Sequence, residues 1–272
     1  ELFEMECEMI PLLIDMRYAG VSVDISYAER LRDTLHGRER EIQAQIDSVA
    51  GFGVNVNASD SLARAFDKLG LGYPKTAPTA GKPEGQPSFV KEFLAHHPHS
   101  FPQLITRARE LAKLRGTFVE GYMLEKNVKG KVHCSFHPLS GTDGGAKTGR
   151  LSSSDPNLQN IPTRSEEGKL IRKAFVADAG HKEWWKFDYS QIEYRLLAHF
   201  AVGEGADAIR SMYLNDPRTD YHASTAALIE KITGIKLSRS HTKNINFGLA
   251  YGMGLAKLAK DLGVSMKEAE EL

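Results

Sequence analysis

Apolar residues recur at helical spacing along most of this chain, and short alternating runs break the pattern. Residues 2–17 read as an amphipathic helix with a kink at Pro11 and a stop at Gly20. Residues 21–25 alternate as a short strand. Ser26 with Glu29 forms a capping box that opens a helix to about Val49, with Leu31, Leu35, Ile42 and Ile46 facing inward. Residues 60–69 form a short helix closed by Gly70, and residues 72–86, rich in Pro, Gly, Thr and Lys, form a mobile loop. A long helix is predicted over 101–126, strands over 131–136, 170–176 and 183–188, and a flexible turn over 141–145. Helices then follow over 191–201, 206–215, 221–233, 238–251 and 255–262, and Ser265 with Glu268 marks one more capping box. No internal repeat is evident. The pattern describes a helix-rich α+β protein.

Within the predicted helix 238–251, Arg239, Lys243, Phe247 and Tyr251 recur every fourth residue. A step of four overshoots a helical turn by roughly 40°, so these side chains form one gently spiralling stripe about 18 Å long. Two cations are followed by two aromatic rings. A nucleoside triphosphate has the matching order, anionic phosphates at one end and sugar and base at the other. The alternative is two core rings beside a solvated helix end. Upstream, residues 184–195 read as an aromatic strand ending in Asp188, then an amphipathic helix. A carboxylate where a strand meets a turn is placed to hold a hard cation; as an alternative, Asp188 caps the helix.

These segments resemble a known family. Asp188-Tyr189-Ser190-Gln191-Ile192-Glu193, followed by Arg195, is similar to motif A of the DNA polymerase I family (family A). The run from Arg239 to Gly252 resembles motif B, the fingers helix. Thr148-Gly149-Arg150-Leu151 with the following stretch to Pro162 resembles a signature of bacterial and phage members. The resemblance covers most of the chain, with the first hundred or so residues matching in pattern alone. It implies an incomplete right-hand polymerase fold: a thumb over residues 1–130, the first part of the palm over 131–203 and part of the fingers over 204–272.

The resemblance also implies roles. Asp188 is the carboxylate that bridges two Mg2+ ions about 3.5–4 Å apart, joined by the carbonyl of Tyr189. Arg239 and Lys243 bind the triphosphate, and Lys243 protonates the leaving pyrophosphate. His222 matches a histidine that touches the phosphates, although a lone histidine is more often structural. Gln191 and Glu193 join the nucleotide site, Glu193 as a steric gate whose bulk rejects a 2′-hydroxyl. Phe247 stands where a ring without a hydroxyl goes with discrimination against dideoxynucleotides. Tyr251 and Gly252 border the templating pair, with Gly252 allowing close approach. Arg150 reads the minor groove at the primer terminus, where purine N3 and pyrimidine O2 are both acceptors. Asn157, Gln159, Asn160 and Arg164 follow the primer-template; taken singly, they would pass for turn formers. The implied partners are primer-template DNA and dNTPs. Motif C, a His-Asp pair downstream of motif B, has no match here, so the chain by itself is expected to be inactive and to need the missing C-terminal palm, on the same or another chain.

Composition narrows the options without deciding them. The chain has 272 residues, 41% hydrophobic and 26% charged, as expected of a globular protein with room for two cores. No segment reads as a membrane span or a signal peptide. Cys7 and Cys134 are its only cysteines, which fits a reducing cytoplasm, bacterial or phage-infected, better than a disulfide framework. His96, His97, His99, His133, Cys134 and His137 have no standard zinc spacing. Net charge is zero, yet residues 101–175 carry thirteen Lys or Arg against seven Asp or Glu, a local surplus suited to a phosphate backbone. Both ends read as cuts, with helical patterns already running at Leu2 and barely begun at Leu272. Three other readings compete. Residues 141–148 approach a phosphate-binding loop, but Ala146 stands where that pattern needs Gly. A non-catalytic primer-template-binding piece is the second. A single-subunit RNA polymerase is the third, opposed by Glu193 and the Arg150 signature.

Overall fold

The computed structural model describes residues 1–141, 145–163 and 165–270. The chain divides into two compact units, Glu1–Trp185 and Lys186–Leu272. The division falls inside the segment assigned to the palm, and each unit has its own cores.

In the first unit, α1 (Leu2–Ala19) runs through Pro11 without ending, and the chain turns at Gly20. β1 (Val21–Ser22) leads into α2 (Ile25–Ala50). The cap of α2 differs from the predicted Ser26–Glu29 box. Asp24 is the cap, its Oδ1 accepting from the Tyr27 backbone N–H at 2.9 Å. α2 is the spine of the unit. Near its start Leu31 and Leu35 enter a core with Leu111, Val119, Met123, Val132, Ile171 and Ala174. Near its end Ile46 and Ala50 enter a second core with Leu62, Phe66, Phe89, Phe101 and Ile105. Residues a multiple of about 3.6 apart share a face, which is why one straight helix can serve both cores.

α3 (Ser59–Lys68) and α4 (Lys91–His96) complete the aromatic core, where Phe66 meets Phe89 and Phe101 at centroid distances of 4.8 and 5.7 Å. α4 was not foreseen, because six residues are too few to establish a period. The predicted long helix over 101–126 divides into α5 (Ser100–Lys113) and a wider, i→i+5 bonded helix over Leu114–Glu125 that contains Gly116 and Gly121.

β2 (Asn127–Val128) and β3 (Lys131–Val132) join β1 in an antiparallel sheet of order β1-β3-β2, with Val21 opposite Val132. The predicted strand 131–136 changes sheets at His133–Cys134. Its second half, β4 (Ser135–His137), pairs with β5 (Ser152–Ser154). Two of the predicted strands are not strands. Residues 166–173 form α6 (Glu166–Lys173), capped by the Ser165 hydroxyl, which accepts from the Gly168 N–H at 3.0 Å. Ile171 and Ala174, both fully buried, lie three apart and so on one helical face. Gly168 sits where a Cβ would come within 2.9 Å of the Pro162 carbonyl oxygen. Residues 183–188 are exposed and in no ladder among the described residues, and without a neighbour a strand has no place for its backbone hydrogen bonds.

The second unit consists of α7 (Ile192–Phe200), α8 (Glu204–Asn215), α9 (Tyr221–Thr233), α10 (Arg239–Ala250), α11 (Leu255–Leu262) and α12 (Met266–Glu270). All but the short last helix stand close to their predicted positions. The predicted Ser265–Glu268 box is present, the Ser265 N–H donating to Glu268 Oε2 at 2.9 Å and the Glu268 N–H to Ser265 Oγ at 3.3 Å. One core joins Ile229, Ile245, Leu258, Ala259 and Leu262; a smaller one joins Tyr194, Ala198 and Tyr213, with Tyr221 and Phe247 packed against it.

Candidate functional site

The stripe is carried by α10. Ser238 opens the helix, its hydroxyl accepting from the His241 N–H at 3.2 Å. Ile245 and Asn246 turn inward, which leaves the stripe outside. Arg239, Lys243 and Tyr251 are exposed and Phe247 half-buried. The rings of Phe247 and Tyr251 stack at 6.3 Å and 10°, and the Lys243 ammonium sits 5.6 Å from the Phe247 ring. Gly252 closes the stripe at φ +84°, a conformation that favours glycine.

Facing Phe247 and Tyr251 is α7. Glu193, Tyr194, Leu196, Leu197 and Phe200 line, with Phe247 and Tyr251, a cleft of about 300 Å3. The predicted gate residue and the predicted stacking rings therefore share one cavity. Its walls are largely apolar, suited to a flat ring and a sugar.

Behind the stripe a polar framework holds the helices in place. Asp220 caps α9 and also accepts from Arg239 Nε at 2.5 Å, which holds its carboxyl below the usual range. His222 is buried. Its Nδ1 accepts from Asn246 Nδ2 at 3.1 Å, and the same amide nitrogen donates to Thr225 Oγ1. Burial and the neighbouring Arg239 lower the imidazole pKa, which keeps it neutral at pH 7. This geometry favours the structural alternative raised for His222. Gln191, at φ +54°, spends its amide inside the unit: Oε1 accepts from the Tyr221 N–H at 3.0 Å and the Tyr213 hydroxyl at 3.1 Å, and Nε2 donates to the Thr219 carbonyl. It ties α7 to α8 and α9. Sequence reading missed Asn246 and Tyr194, because a polar residue and a ring inside a helix carry no signal until their neighbours are known.

Asp188 and Tyr189 are exposed, four and three residues before α7, and the cap position of α7 is Gln191. The helix-cap alternative for Asp188 is thus excluded. Among the described residues no three His, Cys, Asp or Glu side chains converge as a metal-binding group. One carboxylate and one carbonyl fit a single corner of a two-ion site and leave its other ligands to be supplied from elsewhere.

The remaining predicted residues belong to the first unit. Arg150 and Asn160 are exposed. Asn157 Oδ1 accepts from the Gln159 N–H at 3.1 Å and the Ser153 hydroxyl at 3.0 Å, and Gln159 Nε2 donates to the Leu151 carbonyl. Both side chains brace their own loop. Arg164 lies outside the described residues, as do residues 142–144 of the loop compared with a phosphate-binding motif. Lys147 and Thr148 precede β5 and a 3-10 turn at Leu158–Asn160, without the helix such a motif requires.

The family model described as DNA polymerase family A matches residues 25–272. DNA polymerase I of Pseudomonas aeruginosa is 38% identical over 99% of this chain, and that of Helicobacter pylori is 37% identical over 98%. The chain spans 29% and 28% of those relatives. A solved structure, the POL domain of Pol1 from M. smegmatis in complex with DNA primer-template and dNTP, superposes with a TM-score of 0.74. It is 31% identical, with 95% of this chain and 44% of that chain covered.

Proposed function

The chain belongs to DNA polymerase family A, and from that membership we propose that it carries the incoming-nucleotide face of an enzyme that transfers deoxynucleotides to a primer 3′ end on a DNA template. The observation that carries the reading is the α10 stripe, two cations then two stacked rings, opening onto the cleft shared with Glu193. Arg239 and Lys243 hold the triphosphate, the first as a fork and the second as a mobile charge. Lys243 is also the group placed to give a proton to the leaving pyrophosphate. Phe247 and Tyr251 receive sugar and base, and Glu193 crowds the 2′ position. His222 and Gln191 act behind this face as positioning residues.

Asp188 and the Tyr189 carbonyl would hold a divalent ion, which when bound supplies charge neutralisation on phosphate oxygens. Residues 1–130 act as the thumb, 131–203 as the first part of the palm and 204–272 as part of the fingers. Arg150, Asn157, Gln159, Asn160 and Arg164 follow the primer-template, with Arg150 and Asn160 making contact and Asn157 and Gln159 shaping the loop. The missing C-terminal palm completes the carboxylate set and gives residues 183–188 a ladder to join. The exposed Phe187, Tyr189 and Phe200, at 88%, 82% and 76%, fit that assignment. The bacterial relatives support a bacterial cytoplasm, or a phage-infected cell, as the place of work.

Primer extension tests the reading. The 272-residue chain alone, with Mg2+ and dNTPs, gives no extension, whereas the full-length protein extends and prefers dNTPs to rNTPs. Robust extension by the 272 residues alone, or an rNTP preference in the full-length protein, overturns it.

A further inference from the structure

Two helix starts meet at one carboxylate. Asp220 is the cap of α9, its Oδ1 accepting from the His222 N–H at 3.1 Å and the Ala223 N–H at 3.3 Å. Its Oδ2 accepts from Arg239 Nε at 2.5 Å. Arg239 is the first residue of α10. A cation there opposes the helix dipole, whose positive end favours an acidic residue. Neither α9 nor α10 has one in its first turn. Asp220 therefore offsets both helix starts and the arginine at once.

The carboxylate is itself held from α7. The Gln191 amide grips the residues on either side of it: Oε1 accepts from the Tyr221 N–H at 3.0 Å, and Nε2 donates to the Thr219 carbonyl at 3.1 Å. Asp220 thus has a fixed place, and a fixed acceptor can aim a long donor. A guanidinium has five N–H donors, and Asp220 takes the one on Nε. Among the described residues the two terminal nitrogens, Nη1 and Nη2, make no hydrogen bond or ion pair, and the Arg239 side chain is 57% exposed. Those four remaining donors form an edge that can fork onto phosphate oxygens. A carboxylate competing with phosphate would sit on that edge instead. We propose that Asp220 is a positioning residue for the incoming nucleotide, orienting Arg239 by its Nε so that the terminal nitrogens are presented to the triphosphate. This rests on the nucleotide-site reading given above. Arginine has many rotamers to lose, and a side chain ordered before its ligand arrives loses fewer on binding.

Asp220→Asn keeps a good helix cap but has a single acceptor oxygen where two are in use. In steady-state primer extension by the full-length protein, kcat/KM for dNTP is expected to fall roughly three- to ten-fold, chiefly through KM. Asp220→Ser, a second good cap, should show the same loss. An unchanged kcat/KM in both variants would make Asp220 a cap alone, and a raised one would make it a competitor that phosphate displaces; either overturns the inference. Arg239→Ala supplies the decisive background. Adding Asp220→Asn to it should change nothing further, because the aspartate acts through that guanidinium. Losses that multiply would assign the effect to the α9 cap and also overturn the inference. Arg239→Ala by itself separates this from the underlying reading. If it leaves both kcat and KM unaltered, the nucleotide site is misplaced; if it impairs extension while Asp220→Asn does not, only the role of Asp220 fails.

Discussion

The two units of this chain bury their residues differently. In the first, the side chains of Phe66, Phe101, Leu35 and Met123 are entirely enclosed, and charged side chains pair beside the cores. Glu167, with 6% of its side chain exposed, is held by Arg38 and Arg107, and Arg115 forks onto Glu39 while also reaching Glu120. In the second, the buried groups are few and several are polar: His222, Thr242 and Asn246. Arg239, Lys243 and Tyr251 stay on the outside, while Tyr194 and Tyr213 are buried and, among the described residues, the Tyr194 hydroxyl makes no hydrogen bond. The difference teaches what each unit is built for. If α10 takes a nucleotide as proposed, its cations and rings must stay open to solvent, and the second unit gives up core to keep them so.

The comparison can be broken most directly at Phe66. Phe66→Ala should cost about 3–5 kcal/mol of stability in the first unit, since five neighbouring rings cannot all collapse onto the gap. Hydrogen exchange over residues 186–270 should stay unchanged; accelerated exchange there would show that the units do not hold separate cores.

Glu167→Gln comes next, at about 2 kcal/mol near neutral pH, because the carboxylate is enclosed while both arginines remain partly wet. The hydrogen bond from Arg107 holds the Glu167 carboxyl below its ordinary value of 4.5. A depressed carboxyl contributes stability that is complete above its unfolded value and is lost as pH falls through the folded one. Urea midpoints of native and variant chains should therefore differ at pH 7 and draw together below pH 4.5. A gap that persists in acid would assign the effect to packing.

Gly248→Ala is expected to do least, within about 0.5 kcal/mol. Its Cβ would meet Met253 Cε at 2.8 Å and Sδ at 2.9 Å, the end of a flexible side chain, and alanine favours the helix. Thermal melts should barely shift; a large loss would show that the turn after α10 is as tightly packed as the first unit.

Much of this was legible in the sequence. The apolar periods of α2, α9, α10 and α11 appear directly, since a helix is a local pattern whose hydrogen bonds close within a few residues. The every-fourth-residue stripe placed Arg239, Lys243, Phe247 and Tyr251 together for the same reason. Strands were less legible. Residues 131–136 could not announce that they divide between two sheets, and 170–176 share their apolar content with a helix that only Ser165 and the Pro162 carbonyl distinguish. Whether 183–188 is a strand depends on a neighbour and not on its own composition.

Local chemistry therefore fixed where the helices lie and which cations and rings share a face. Tertiary structure decided that Glu193 opens onto the same cleft as Phe247 and Tyr251, that Gln191 and His222 turn inward to brace it, and that Tyr194 is buried with nothing to bond. Those outcomes depend on residues twenty to sixty positions apart meeting in space, and a one-dimensional pattern carries no term for such distances.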